Sequence, residues 1–199
     1  MTSPSSAGIA LVTGAARRIG RHIALALARA GWDVAVHYNR SREEADTLVR
    51  EIEALGRRAL AVQGELGDEA QVRSLLPQAA PLGRITCVVN NASLFDYDDA
   101  ASFGNDRLLR HMSANVGAPV LLAQALFEAT PEGQQAVVIN LLDQKLYNPN
   151  PDFLSYTLSK AALHSATTLL AQALAPKVRV VGVAPGLTMV SGDQTEDQF

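Results

Sequence analysis

Cysteine is nearly absent. The one residue of this type, Cys87, excludes an internal disulfide and points to a reducing, cytoplasmic setting. It sits in an apolar run and reads as inert core. Basic charge is not in surplus either. The formal net charge is −3 at pH 7, so the footprint of a nucleic-acid binder is missing. No apolar run approaches the ~18 residues needed to cross a bilayer. Residues 1–7 lack a basic segment followed by an apolar one, so no signal peptide is read, and they are expected to form a flexible tail. Repeats, low-complexity tracts and linkers are also lacking, and no metal ligands are assigned. One domain is therefore expected over 8–199. Its 48% apolar and 19% charged residues are those of an ordinary soluble globular chain with a sizeable core.

What is present alternates in type. Apolar runs at 8–13, 33–38, 59–63, 85–90, 136–141 and 178–183 read as strands. They are almost continuously apolar, as strands covered on both faces of a parallel sheet must be. Helical patterns separate them. Ile19, Ile23, Ala26, Leu27 and Ala30 recur at helical spacing and Gly31 stops them. Further helices are expected over 42–55, 69–79, 107–129 and 156–174. Strands and helices in this rhythm predict an α/β fold with one doubly wound, Rossmann-like parallel sheet and helices on both faces.

The turn Thr13-Gly14-Ala15-Ala16-Arg17-Arg18-Ile19-Gly20 joins the first strand to the first helix. A helix start offers unpaired N–H groups and a positive dipole end to a phosphate. Gly14 permits the tight turn and Gly20 the close packing of helix on strand. The usual middle glycine is missing; Arg18 stands there. The acidic residue that would hold an NAD ribose is missing too. The second strand ends His37-Tyr38-Asn39-Arg40-Ser41, where Arg40, Ser41 and Arg17 could bind a 2′-phosphate. This predicts NADPH. The plainer alternative makes Arg40 a solvated charge and Ser41 the cap of the next helix.

Tyr156 and Lys160 are one helical turn apart, so both lie on one face. A phenol with a pKa near ~10 is a poor proton carrier at neutral pH, and a nearby ammonium is expected to lower it. Asp143 ends the fifth strand, Asn91-Ala92-Ser93 follow the fourth, Pro185-Gly186 follow the sixth, and Asn115 is a polar residue in a long helix. Strand ends line the ligand crevice in such sheets.

In this order, Thr13-Gly14…Gly20, Asn90-Asn91-Ala92, Asn115, Tyr156/Lys160 and Pro185-Gly186 resemble the short-chain dehydrogenase/reductase superfamily. Four features look most like pteridine and dihydromonapterin reductases. These are Arg18, Asp143 in place of a serine, His-Tyr-x-Arg-Ser at 37–41 and Asn-Asn-Ala-Ser-x-Phe at 90–95. The resemblance implies that Tyr156 donates the proton, Lys160 holds the nicotinamide ribose and tunes Tyr156, and Asn115 holds a water linked to Lys160. It implies an NADPH site of Gly14, Arg17, Arg18, Ile19, Gly20, Tyr38, Asn39, Arg40, Ser41, Asn91, Ala92, Ser93, Lys160, Pro185 and Gly186. A pterin is expected against Arg18, Ser93, Phe95, Asp143, Tyr156 and Leu187, with Phe95 stacked on the ring. The resemblance further implies a homotetramer with helices 107–129 and 156–174 at one interface. It implies, too, a further strand and a covering helix beyond the sixth strand. The polar stretch 190–199 reads instead as a loop, so the domain is expected to be C-terminally incomplete. A reductase of ketones such as 3-oxoacyl thioesters, and an idle NADPH-binding protein, stand as the alternatives.

Overall fold

A computed structural model describes residues 7–186 and 188. The expected tail up to residue 6, Leu187 and the stretch 190–199 lie outside them. Six strands form one sheet: β1 (Gly8–Val12), β2 (Trp32–Tyr38), β3 (Ala59–Gln63), β4 (Cys87–Asn90), β5 (Ala136–Leu141) and β6 (Val178–Val183). The helices are α1 (Arg18–Arg29), α2 (Arg42–Ala54), α3 (Glu69–Ala79), α4 (Asn105–Met112), α5 (Ala118–Ala129) and α6 (Leu154–Leu174). Every strand pair is parallel and the order is β3-β2-β1-β4-β5-β6. The expected doubly wound sheet is what forms.

Alternation along each strand feeds two cores. Leu11, Ala35, Val62, Val88 and Val138 pack with Leu75, Leu122 and Leu126 of α3 and α5. Their neighbours Ala10, Val12, Val34, Val36 and Val89 pack with Leu25, Leu48 and Ile52 of α1 and α2. A strand that serves both faces needs apolar residues at every position, which is why these runs are continuous. β6 departs from the expectation. Val178 and Val180 are buried, but Val181 and Val183 on the other face are 38% and 47% exposed. Among the described residues β6 is an edge, and nothing covers that face.

The helix expected over 107–129 is two helices joined by a π turn at Ser113–Gly117. A π turn is a one-residue excess in the helical ladder and often sits at a functional site. Here it carries Asn115, which is buried.

β1 lies between β2 and β4, so the chain reverses its direction of build beside β1. A crevice forms outside the strand ends at such a switch point. Its floor depends on Gly20, where a Cβ would stand 2.2 Å from the Gly14 carbonyl oxygen and 2.6 Å from Asn91 Nδ2. Gly56 is a useful contrast, with φ +77° and no atom near a Cβ. We expect Gly20→Ala to cost about 2–3 kcal/mol in a urea titration, because backbone must move. Gly56→Ala should cost about 1 kcal/mol, from its left-handed backbone alone.

Candidate functional site

Two adjoining clefts open at the switch point. The larger, about 1170 Å³, runs past Gly14, Arg17, His37, Tyr38, Asn39, Arg40, Ser41, Ala92 and Ser93. The smaller, about 480 Å³, runs past Arg18, Ile19, Gly20, Asn91, Phe95, Asp143, Tyr156, Lys160, Pro185 and Gly186. The two together gather every expected site residue within the described chain except Asn115, which lies behind the wall. Leu187 falls outside the described residues.

The turn after β1 is held by its neighbours. Thr13 Oγ1 donates to the Val89 carbonyl at 3.3 Å and accepts the N–H groups of Asn91 and Ala92, each at 3.0 Å. Asn91 Nδ2 donates to the carbonyls of Thr13 (2.9 Å) and Gly14 (3.3 Å). Gly14 has φ +61°. Arg18 also lies in the left-handed region, with φ +51°, a strain tolerated mostly where function requires it. The Arg17 side chain at the N-cap of α1 makes no capping bond. Gly20 lets the helix approach this turn. The cradle fits a dinucleotide diphosphate.

At the other end of the large cleft, Ser41 stands at the N-cap of α2 but its side chain makes no capping bond. The capping alternative for Ser41 is therefore not realised, and its hydroxyl and the exposed Arg40 both line the cleft. Arg17 is already paired with Glu44 of α2. Glu65, after β3, accepts from Asn39 Nδ2 and closes that side.

The chemistry end is small and mostly buried. Tyr156, 6% exposed, donates its hydroxyl to Asp143 Oδ2 at 2.5 Å. Asp143 Oδ1 accepts the Lys145 N–H at 2.7 Å, so both carboxylate oxygens are engaged. Lys160 Nζ donates to the Leu141 carbonyl at 2.7 Å. The Asn115 side chain makes no direct hydrogen bond to Lys160. It accepts the Leu94 N–H at 2.7 Å and donates to the Leu94 carbonyl and Ser159 Oγ, both at 3.0 Å. It thus ties the loop after β4 to α6. A second tie is the buried chain Asn90–Asn140–Thr167, with bonds of 2.8 and 2.9 Å from β4 through β5 to α6.

The electrostatics correct one expectation. The Tyr156 pKa is raised in this arrangement, although the Lys160 ammonium lies 5.6 Å from the centre of its ring. Burial pushes the phenol up, and the Asp143 carboxylate at its hydroxyl pushes it further. The ammonium is directed at a carbonyl, and its own pKa falls to about 8 through burial. Tyr156 is therefore a held proton, not a phenolate.

Phe95 lines the smaller cleft and is 43% exposed. It stacks on Phe153 at 4.1 Å with 9° between planes, and meets Tyr156 edge-on at 4.6 Å. One of its faces is thus already covered. Phe153 was not foreseen; it takes φ 56° just before α6. Asp98 was missed as well. It is fully buried, accepts the Ser155 N–H at 2.9 Å and takes the Ser155 hydroxyl, and so caps α6 from another segment. Thr13 and His37 were visible as polar residues ending apolar strands, but the sequence assigns them no partner.

Residues 8–198 match the short chain dehydrogenase family. The chain is similar to FolM alternative dihydrofolate reductase 1 of Brucella canis, solved complexed with NADP. Identity is 42%, the TM-score is 0.92, and 97% of this chain and 77% of that one are covered. It is 32% identical over 235 residues to pteridine reductase 1 of Leishmania tarentolae, covering 97% of this chain and 81% of that protein. It is also 32% identical over 206 residues to a 3-oxoacyl-[acyl-carrier-protein] reductase of Staphylococcus aureus, covering 96% and 80%.

The depression of Lys160 from 10.5 to about 8 disfavours its buried ammonium by roughly 3 kcal/mol. The folded pKa lies below the unfolded one, so the cost is full at neutral pH and is relieved as pH rises from about 8 to 10.5. Replacing it also leaves the Leu141 carbonyl unpaired, which offsets part of the gain. Lys160→Met is therefore expected to gain about 1 kcal/mol at pH 7, raising Tm by roughly 2–4 °C. The advantage of this variant over wild type should shrink and then reverse between pH 8 and 10.5, as read by thermal melts of the two proteins side by side.

Proposed function

The chain belongs to the short-chain dehydrogenase family, and on that footing we propose that it is an NADPH-dependent reductase of a pterin ring. The observation that carries the reading is the 2.5 Å hydrogen bond from Tyr156 to a carboxylate, Asp143, beside the exposed ring of Phe95. A pterin presents ring nitrogens and an amino group rather than a lone ketone oxygen. A carboxylate accepts from such donors, whereas a hydroxyl suits a ketone better. Similarity to a solved alternative dihydrofolate reductase and to a pteridine reductase supports the same substrate class.

Bound NADPH supplies the hydride; the chain's own residues handle position and protons. The Gly14 and Gly20 cradle receives the diphosphate. Arg40 and Ser41 receive the 2′-phosphate where an NAD enzyme places an acid. Tyr156 carries the proton toward a ring nitrogen. Its raised pKa keeps that proton in place until a basic acceptor arrives. Asp143 holds the phenol in line and can return a proton to it. The buried Lys160 offsets negative charge left on the Tyr156–Asp143 pair. The exposed Leu109 of α4 and Leu158 and Leu169 of α6 support association of subunits along these helices.

Ketone reduction is the second reading, favoured by the similarity to a 3-oxoacyl reductase. NADPH oxidation with 7,8-dihydrobiopterin, dihydrofolate and an acetoacetyl thioester in parallel separates the two. Turnover of the thioester alone overturns the pterin reading. Tyr156→Phe and Asp143→Ala are each expected to lower kcat by about 10²-fold or more while NADPH still binds. Arg40→Ala should raise the KM for NADPH about tenfold or more and leave that for NADH unchanged.

A further inference from the structure

His37 is a buried imidazole that the chemistry above does not use. It is 2% exposed and is the penultimate residue of β2, at the wall of the large cleft. Its ring bridges two backbones. Nδ1 accepts the Gly14 N–H at 3.0 Å, and Nε2 lies 3.0 Å from the Gly64 carbonyl oxygen. Its own carbonyl accepts the Ala15 N–H at 2.9 Å.

These partners leave one protonation state. A peptide N–H only donates, so Nδ1 must carry its lone pair. A peptide carbonyl only accepts, so Nε2 must carry the hydrogen. An imidazolium would set an Nδ1–H against the Gly14 N–H and expel one of them. Gly14 is a left-handed residue of the phosphate turn, and Gly64 leads into Glu65, which also lines the large cleft. The ring therefore joins two segments of the cleft in which a nucleotide would lie. Burial lowers its pKa below 6.5, outweighing the Gly64 carbonyl and Glu65 of the β3–α3 loop, which both favour the cation. Arg17 from the β1–α1 turn, paired with Glu44, and Arg40, Asp68 and Arg110 are the other charged residues lining the large cleft.

The geometry points to His37 as a positioning residue for the dinucleotide: its neutral Nε2–H tautomer holds the phosphate turn, and protonation releases it. This inference rests on the reading of the cleft as an NADPH site. The amide of Asn can still accept from Gly14 but does not titrate in this range; Leu can do neither.

The test uses NADP⁺, which is stable in acid, by calorimetric titration of the wild type, His37→Asn and His37→Leu. At pH 7.5 the Leu variant should bind at least tenfold more weakly than wild type, and the Asn variant within about threefold. Below the ring's own pKa the wild type should lose affinity relative to His37→Asn, by about tenfold one pH unit lower, because only the neutral fraction binds. The 2′-phosphate titrates equally in both proteins and cancels. The ¹⁵N spectrum of the unliganded wild type reads the tautomer directly, with the His37 signal identified by its loss in the Asn variant. Wild-type affinity in the Leu variant, a ratio flat through the ring's pKa, or an Nδ1–H tautomer overturns the inference. Failure of wild-type protein to bind NADP⁺ at pH 7.5 overturns the cofactor reading itself.

Discussion

A tight turn between a parallel strand and a helix cannot hydrogen-bond to itself, and the mouth of this sheet is organised around that deficit. The N–H groups of Thr13, Gly14 and Ala15 go to the Val89 carbonyl, the His37 ring and the His37 carbonyl. The carbonyls of Thr13 and Gly14 go to the Asn91 side chain. Buried backbone groups must be paired, so these donors and acceptors dictate which residues can end β2 and β4. The switch point in strand order puts both neighbours within reach. The same bonds that satisfy the turn set the width and lining of the crevice.

The opposite end of the crevice follows a contrary logic. There, charge is buried and only partly offset, since the attraction of Asp143 for Lys160 falls short of the cost of burial. Lys160 is 3% exposed and makes one hydrogen bond, to a carbonyl. Asp143 lies against a phenol, not an arginine. Such an arrangement lowers the stability of the free protein, as functional sites commonly do. The stiff supports around it fit this picture. The Asn90–Asn140–Thr167 ladder, Asn115 and the Asp98 cap all fasten α6, on which Tyr156 and Lys160 stand.

How much of this was legible depended on the physical signal. The strands read well because both faces of a parallel sheet demand apolar residues, and the apolar runs differ from the observed strands by at most two residues at an end. Residues 107–129 read as a single helix because a π turn adds one residue without breaking the apolar pattern. Gly14, Gly20 and the Tyr156/Lys160 spacing were legible because local geometry constrains them. Asp98 and His37 were not, since a side chain that caps or clasps distant backbone carries no periodic mark. The direction of the Tyr156 shift also failed to read. Spacing places Lys160 nearby, but only the fold shows that the carboxylate, not the ammonium, meets the hydroxyl. Cys87 behaved as its apolar context implies, with burial pushing its thiol up to about 11.

The Phe95–Phe153 stack has a thermodynamic consequence. Phe95, which lines the smaller cleft, already has the flat ring of Phe153 stacked on one face. A heterocycle arriving over that covered face of Phe95 exchanges one aromatic contact for a second of similar size. The net apolar area removed from water is then small, and so is the heat-capacity change on binding. Selection among flat guests falls to the polar atoms on their edges, which is where Asp143 and Tyr156 wait.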